Sequence, residues 1–262
     1  MLTFSKIYSS LVRIRNLWII CTIENLKNRN LLIYLFERTI PTLSISLMLA
    51  VIFAPNYSFW ILWKYFLFVF IGFSIWNVIS SCFRYNEKKF LRIKGDLERI
   101  GLPFHFFLVK YYFDLLFPVV FDLILMALII LVGIFIQEFW IALPWFVFWF
   151  LLFLVAMFSL CYLVLAAMVF LPWLKFFIDA GIRVLFFATP IFWGIESIDS
   201  GFRYFLSRFN PFAIVIAVPR QALNILQWDI NTVFISISIL IAFVFLGLVC
   251  YKFTSKKMSM VR

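Results

Sequence analysis

Charge, histidine, cysteine and glycine are all scarce in this sequence. Asp, Glu, Lys and Arg together make up 13% of its 262 residues, against about 25% in an ordinary soluble domain. A water-soluble fold of this length could not cover so apolar a chain, which excludes a soluble enzyme and a disordered tail. There is one histidine, His105. The four cysteines (Cys21, Cys82, Cys161, Cys250) lie far apart, with no CxxC and no Cys/His cluster. A disulfide-rich secreted module and a zinc site are therefore excluded. None of the eight glycines falls in a GxxxxGK[ST] or GxGxxG pattern, so no recognisable nucleotide loop is present. HExxH and GxSxG are also missing.

What the chain has is apolar and aromatic mass. Hydrophobic residues make up 66% of it, and 37 Phe, 10 Tyr and 10 Trp bring the aromatic share to 22%. Lipid must be the solvent for most of this surface. The net charge of +11 is then read as a record of membrane topology rather than of nucleic-acid binding, because basic residues gather in cytoplasmic loops.

Residues 1–30 place Leu11, Ile14, Leu17, Trp18 and Cys21 at three- and four-residue spacings among Lys6, Arg13, Arg15, Lys27 and Arg29. The pattern predicts an amphipathic helix in the cytoplasmic interface rather than a cleaved signal. A solvated basic leader would leave the apolar stripe unexplained. Apolar runs near the ~20 residues needed to cross the hydrocarbon core follow at Leu31–Phe53, Phe59–Cys82, from after Pro103 to near Ile136, Trp145–Leu171, Phe176–Trp193 and Val233–Tyr251. The third is longer than one crossing needs, and its early part is expected in the interface.

Between the second and third runs lies the one strongly charged block, residues 84–103. Phe90, Ile93, Leu97 and Ile100 fall at helical spacing there, with Lys88, Lys89 and Arg92 around them. A short amphipathic helix stopped by Gly101 and Pro103 is predicted, the plainer alternative being a solvated basic loop on anionic headgroups. Residues 195–226 form a broken outer segment. An amphipathic stretch ends at Asn210-Pro211, and Phe212–Pro219 is too short for a crossing and reads as re-entrant.

Of the 23 Lys and Arg, 19 fall in the N-terminal region through Arg38, between Arg84 and Lys110, in the turn after Pro172 and in the C-terminal tail. Lys64, Arg203, Arg208 and Arg220 are the remaining four. That asymmetry predicts an all-α membrane protein of six transmembrane helices with both termini cytoplasmic. Trp60, Trp63, Trp140, Trp145, Trp173 and Trp193 sit near the expected span ends, as an aromatic belt would place them. Stacking of some rings on a sugar is the second reading. Asp122 is the one carboxylate well inside a span. It is open between contact with a polar substrate and pairing with a basic group on another helix.

The order of these parts resembles the transmembrane subunit of an ABC-2 type exporter, specifically the polysaccharide-exporting branch. Leu32-Ile33-Tyr34-Leu35-Phe36 with Pro41 is similar to that family's opening of the first span, with Ile33 in place of its glycine and Phe36 in place of its tryptophan. Thr189-Pro190-Ile191-Phe192 resembles the small-residue/Pro/hydrophobic signature at the outer end of the fifth span. Asn210-Pro211-Phe212, with Arg220 ten residues after Asn210, resembles the family's Asn-Pro…Arg segment.

The resemblance implies a single permease domain over 1–262 without catalytic residues or cofactor. ATP and Mg would be held by a separate ATPase subunit, present in two copies and docked on Lys88, Lys89, Phe90, Arg92, Ile93 and Leu97. Two copies of this chain would form the channel, in the cytoplasmic membrane of a bacterium. The substrate would be a lipid-linked glycan of O-antigen, capsule or teichoic acid type. Its pyrophosphate would be drawn to Arg13, Arg15, Lys27 and Arg29, and its exit gated at Pro190, Asn210, Pro211 and Arg220. At Arg220, contact with a phosphate or acidic sugar stands beside a headgroup or structural ion-pair role. An ABC-2 exporter of a drug or lipid is the alternative within the class. A polytopic membrane transferase is the alternative outside it, with Glu87, Asp96 and Glu98 as its sole acidic group.

Overall fold

The computed structural model of the chain describes residues 31–53, 59–84, 95, 104–116, 119–136, 140–193 and 209–260. Among these, every regular element is helical: α1 (Leu31–Phe53), α2 (Phe59–Cys82), α3 (Phe104–Leu116), α4 (Val120–Ile136), α5 (Ala142–Phe170), α6 (Leu174–Ala188), α7 (Pro211–Ala222) and α8 (Ile230–Met260). The expected interfacial helix of 1–30, the charged helix within 84–103 and the amphipathic stretch from 195 lie outside the described residues, apart from Arg84 and Gly95.

α2 is the hub. It is apolar on all sides, and Leu67–Gly72 and most residues on to Cys82 are buried, as expected of a helix surrounded by others. α1, α3, α4, α5 and α7 all pack on it.

The most extensive helix pair is α5 with α8. Trp149 Nε1 donates to Ser236 Oγ at 2.9 Å, Ser159 faces Gly247, and the Tyr162 and Thr254 hydroxyls share a hydrogen bond of 2.6 Å. The matched positions advance together along both helices, so α5 and α8 run parallel. Gly247 permits the close approach, because a Cβ there would press on the backbone and Cβ of Ser159. Small residues allow tight helix contact in the same way in membranes. Parallel neighbours also constrain the chain between them. After leaving α5 at Phe170, it must return to the end where α5 began before α8 can start.

α2, α5 and the Ile230–Ser255 part of α8 are each long and apolar enough to cross a membrane, and α3 with α4 would make a fourth span if the bent pair counts as one. The structure differs here from the long third run, since Phe107–Leu115 and Val120–Ile136 meet at 70°. α6 spans 15 residues, or about 22 Å at 1.5 Å per residue, short of a ~30 Å core. In α1, Thr39–Phe53 forms a shorter apolar stretch, below the ~20 residues of a crossing. The outer faces are apolar: Phe245, Leu248 and Phe253 on α8, Leu151 and Val155 on α5, and Phe176 and Phe187 on α6 are all exposed. Exposed apolar surface on this scale belongs to a protein that meets lipid or further chains.

Candidate functional site

The two motifs around Pro190 and Asn210 prove to be one hydrogen-bonded unit. α6 stops because Thr189 leaves the helical region, at φ −94° and ψ 132°, and because Pro190 has no N–H with which to continue. Thr189 closes the helix with two bonds to the Leu185 carbonyl, from its N at 2.9 Å and from Oγ1 at 2.6 Å. The unwound end leaves several carbonyls without helical partners, and a buried orphan carbonyl is costly.

Side chains from α2 and α7 cover those carbonyls one by one. Asn210 Nδ2 donates to Ala188 O at 3.4 Å and to Thr189 Oγ1 at 2.8 Å. Arg220 Nη1 donates to Pro190 O at 2.7 Å, and Nη2 donates to Ile191 O at 2.8 Å. The Tyr65 hydroxyl donates to Phe192 O. Arg220 is also anchored to α2, where Nε and Nη2 both donate to Phe68 O, at 3.1 and 2.9 Å. Its guanidinium carbon lies 3.5 Å from the centre of the Phe68 ring, a cation–π position.

Arg220 is 2% exposed. No carboxylate among the described residues is hydrogen-bonded to it, so carbonyl dipoles and a ring face stand where an ion pair was one expectation. The geometry favours the structural role over contact with an external anion, because four hydrogen bonds already hold the guanidinium inside the protein. α2 accommodates it through Gly72. A Cβ there would collide with Nη2 and would lie 3.0 Å from Ile191 O.

α7 is built to sit inside the protein. Asn210 is its N-cap, with Oδ1 accepting from Phe212 N at 3.0 Å, and Pro211 occupies the first turn, where its missing N–H costs nothing. At the other end Asn224 takes φ 51°. Ile225 N bonds Arg220 O at 3.0 Å, and Asn224 N bonds Gln221 O at 2.9 Å, a Schellman closure. Phe212–Ala213 and Val215–Ala222 are all buried, against α2, α4, α5 and α8. The helix runs antiparallel to α2, since the Phe212 ring meets Trp76 and Phe83 while Arg220 reaches back to Phe68. Leu223, just beyond it, lies against Gly133 in the last turn of α4.

A cavity of about 410 Å³ opens between α2 and α6. Phe73, Trp76, Phe83 and Phe186 form apolar walls, Asn77 and Ser80 add polar groups, and Arg84, Asp179 and Arg183 also line it. Asp122 has no basic partner bonded to it among the described residues. Its carboxylate accepts from Thr42 and Asn77.

All four gate residues named from the sequence, Pro190, Asn210, Pro211 and Arg220, thus converge. Lys88, Lys89, Phe90, Arg92, Ile93, Leu97, Arg13, Arg15, Lys27 and Arg29 lie outside the described residues. Tyr65, Phe68 and Gly72 were not singled out from the sequence. The one available signal was a lone glycine inside a run of large apolar residues. No group of three or more His, Cys, Asp or Glu capable of holding a metal occurs among the described residues. No protein-family model matches the chain, and no curated protein sequence matches it.

Proposed function

We propose that the chain is the transmembrane permease subunit of an ABC-2 type exporter that moves a lipid-linked polysaccharide across a bacterial cytoplasmic membrane. ATP and Mg are bound on a separate ATPase subunit, and two copies of this chain form the channel. The observation that carries the reading is the bonded unit of Thr189–Phe192 with Asn210–Arg220. A broken outer helix end is tied to a short, buried, doubly capped helix that starts within the protein and runs outward. Irregular backbone at membrane depth is tolerated where protein covers it, so α7 suits the outward limb of a re-entrant gate.

Six spans with both termini cytoplasmic are part of the proposal: α1, α2, α3 with α4, α5, α6 with its unwound tail, and α8. Two features support it. α5 and α8 are parallel, so the intervening chain must make a net single return. α6 with Thr189–Trp193 can supply that crossing, while α7 at 12 residues is too short to be another. The basic residues also divide in the same sense. Residues 84–103 would dock on the ATPase, with Phe90, Ile93 and Leu97 in a groove and Lys88, Lys89 and Arg92 at its rim. Arg13, Arg15, Lys27 and Arg29 would attract the substrate pyrophosphate. ATP-driven motion of the docking helix would reach the outer unit through α2, which begins by Tyr65 and Phe68 and ends at that loop.

The test is a pull-down of the tagged chain from its native host in mild detergent, with mass spectrometry of stoichiometric partners. An ABC ATPase is expected, and is expected to be lost when Lys88, Lys89 and Arg92 are replaced by Glu. Recovery of the chain alone, or with glycan-synthesis enzymes and no ATPase, contradicts the reading.

A further inference from the structure

α6 stands beside the body rather than in it, since none of its residues is buried. The cavity of about 410 Å³ lies between it and α2. These two helices run antiparallel: Phe186 meets Phe73 and Trp76, with ring centroids 5.8 and 5.7 Å away, while Phe192, further along the chain, bonds back to Tyr65, nearer the start of α2. The cavity is therefore graded along its length. Phe73, Trp76, Phe186 and Phe187 wall the inner end, and Arg84, Asp179 and Arg183 lie toward the end where α2 stops and α6 begins. Arg84 follows an apolar helix of 24 residues, so the charged end is at the depth of lipid headgroups and the aromatic end at that of acyl chains. Asp179 and Arg183 are one turn apart, a spacing at which opposite charges can pair. Among the described residues no ion pair joins them, and both line the cavity instead.

We propose that this cavity binds one membrane phospholipid of the zwitterionic ethanolamine class. Its phosphodiester sits on Arg183 with Arg84 beside it, its ammonium on Asp179, and its acyl chains leave along the aromatic end. Guanidinium donors match phosphate oxygens in geometry as well as charge. A carboxylate one turn from Arg183 gives the headgroup ammonium its counter-charge, a contact that a purely anionic headgroup would not use. The volume falls within the ~300–1,000 Å³ of ordinary ligand sites. It accommodates the headgroup and the start of the chains, and the remainder runs out over Phe187, which both lines the cavity and is exposed. The bound lipid fills the space between the hub helix and a helix with no buried residue of its own. The seating of α6, and of the unwound end it carries at Thr189, then depends on the composition of the membrane. This inference rests on the chain's lying in a membrane and not on the exporter reading.

The test is native mass spectrometry of the delipidated full chain in detergent, titrated with phosphatidylethanolamine, phosphatidylglycerol or undecaprenyl phosphate. Saturable binding of one phosphatidylethanolamine per chain is expected, tighter than that of the other two lipids. Arg183→Gln is expected to weaken it by about tenfold or more, as loss of a charge-assisted contact requires. Asp179→Asn should weaken phosphatidylethanolamine and leave phosphatidylglycerol unchanged or tighter. Lys175→Gln, one turn earlier on α6 and outside the cavity lining, removes a positive charge without touching the site and should change nothing. All three side chains are exposed, so the variants are expected to fold, and circular dichroism checks their helicity. Equal affinity for phosphatidylethanolamine and phosphatidylglycerol overturns the proposal, as does tighter binding of undecaprenyl phosphate. Binding that ignores Arg183→Gln, or that Lys175→Gln weakens as much, also overturns it.

Discussion

Gly72 and Arg220, 148 positions apart in the chain, meet in the fold: Arg220 Nη2 lies within collision distance of where a Cβ of residue 72 would stand. Glycine inside a helix costs about 0.5–1 kcal/mol relative to alanine. Its presence in an otherwise bulky α2 is explained by the guanidinium that α2 must admit to reach Phe68 O, Pro190 O and Ile191 O.

Gly72→Ala is accordingly expected to lower stability despite its better helix propensity, by about 1–3 kcal/mol for overpacking. Thermal unfolding in nanodiscs measures it. The loss should shrink when Arg220→Ala is added, because the main collision partner is then gone, and a coupling of about 0.5–3 kcal/mol is expected for residues in contact. Additive losses would show that the two positions do not interact.

Arg220→Lys keeps the charge but loses the planar fork, and one ammonium cannot span carbonyls contributed by α2 and by the end of α6. At least one buried carbonyl is left unpaired, at about 1–3 kcal/mol. Ile191, fully buried beside it, gives a local readout. Maleimide labelling of Ile191→Cys should be slow in the parent and faster once Arg220→Lys is added. Unchanged labelling would show that the guanidinium does not hold the segment.

The parallel course of α5 and α8 fixes which exposed positions share a membrane face. Single cysteines at Trp140 and Gln227 are expected to label from one side of sealed vesicles, and those at Leu171 and Lys252 from the other. Labelling of Trp140→Cys and Gln227→Cys from opposite sides would contradict the helix pairing.

Asp229 begins α8 outside the apolar run. Its Oδ1 accepts from Asn231 N at 3.0 Å, and its Oδ2 from Thr232 N at 3.1 Å and Thr232 Oγ1 at 2.7 Å. These bonds, the Thr232 hydroxyl foremost, hold its carboxyl below the usual carboxylate range. A depressed folded pKa contributes stability that is present above the unfolded value of about 4 and is lost as pH falls through the folded value. Acidification from about pH 6 to 3 should therefore weaken the amide-exchange protection of Asn231 and Thr232 in the parent. In Asp229→Asn, which still caps but does not titrate, the same protection should stay flat. The effect is expected to be small, since the group is exposed, and equal loss in both proteins would contradict it.

Much of the helical layout was legible because apolar runs and their interruptions are local. The end at Phe53 and the start at Phe59 follow from the short uncharged break between the first two runs and match α1 and α2. The final apolar run, Val233–Tyr251, lies inside a helix that continues to Met260, since a helix need not stop where charge meets the membrane surface. The bend between α3 and α4 was hidden because both sides of it are apolar. Pro190, Asn210 and Arg220 could each be named from the sequence, but not their bonds to one another, which join residues about 20 to 30 apart in the chain and depend on where α6 unwinds. The Thr42 and Asn77 bonds to Asp122 cross 80 and 45 positions, and no sequence spacing encodes them.

Reconstitution of the chain with the ATPase recovered beside it, in inverted vesicles carrying a radiolabelled lipid-linked glycan, tests the central claim most directly. The account expects ATP-dependent transfer of label into the vesicle lumen, reduced by at least about tenfold in the Lys88/Lys89/Arg92 charge-reversed variant, equivalent to about 1.4 kcal/mol. Transfer that proceeds equally without ATP, or no transfer from a complex with an active ATPase, would contradict it.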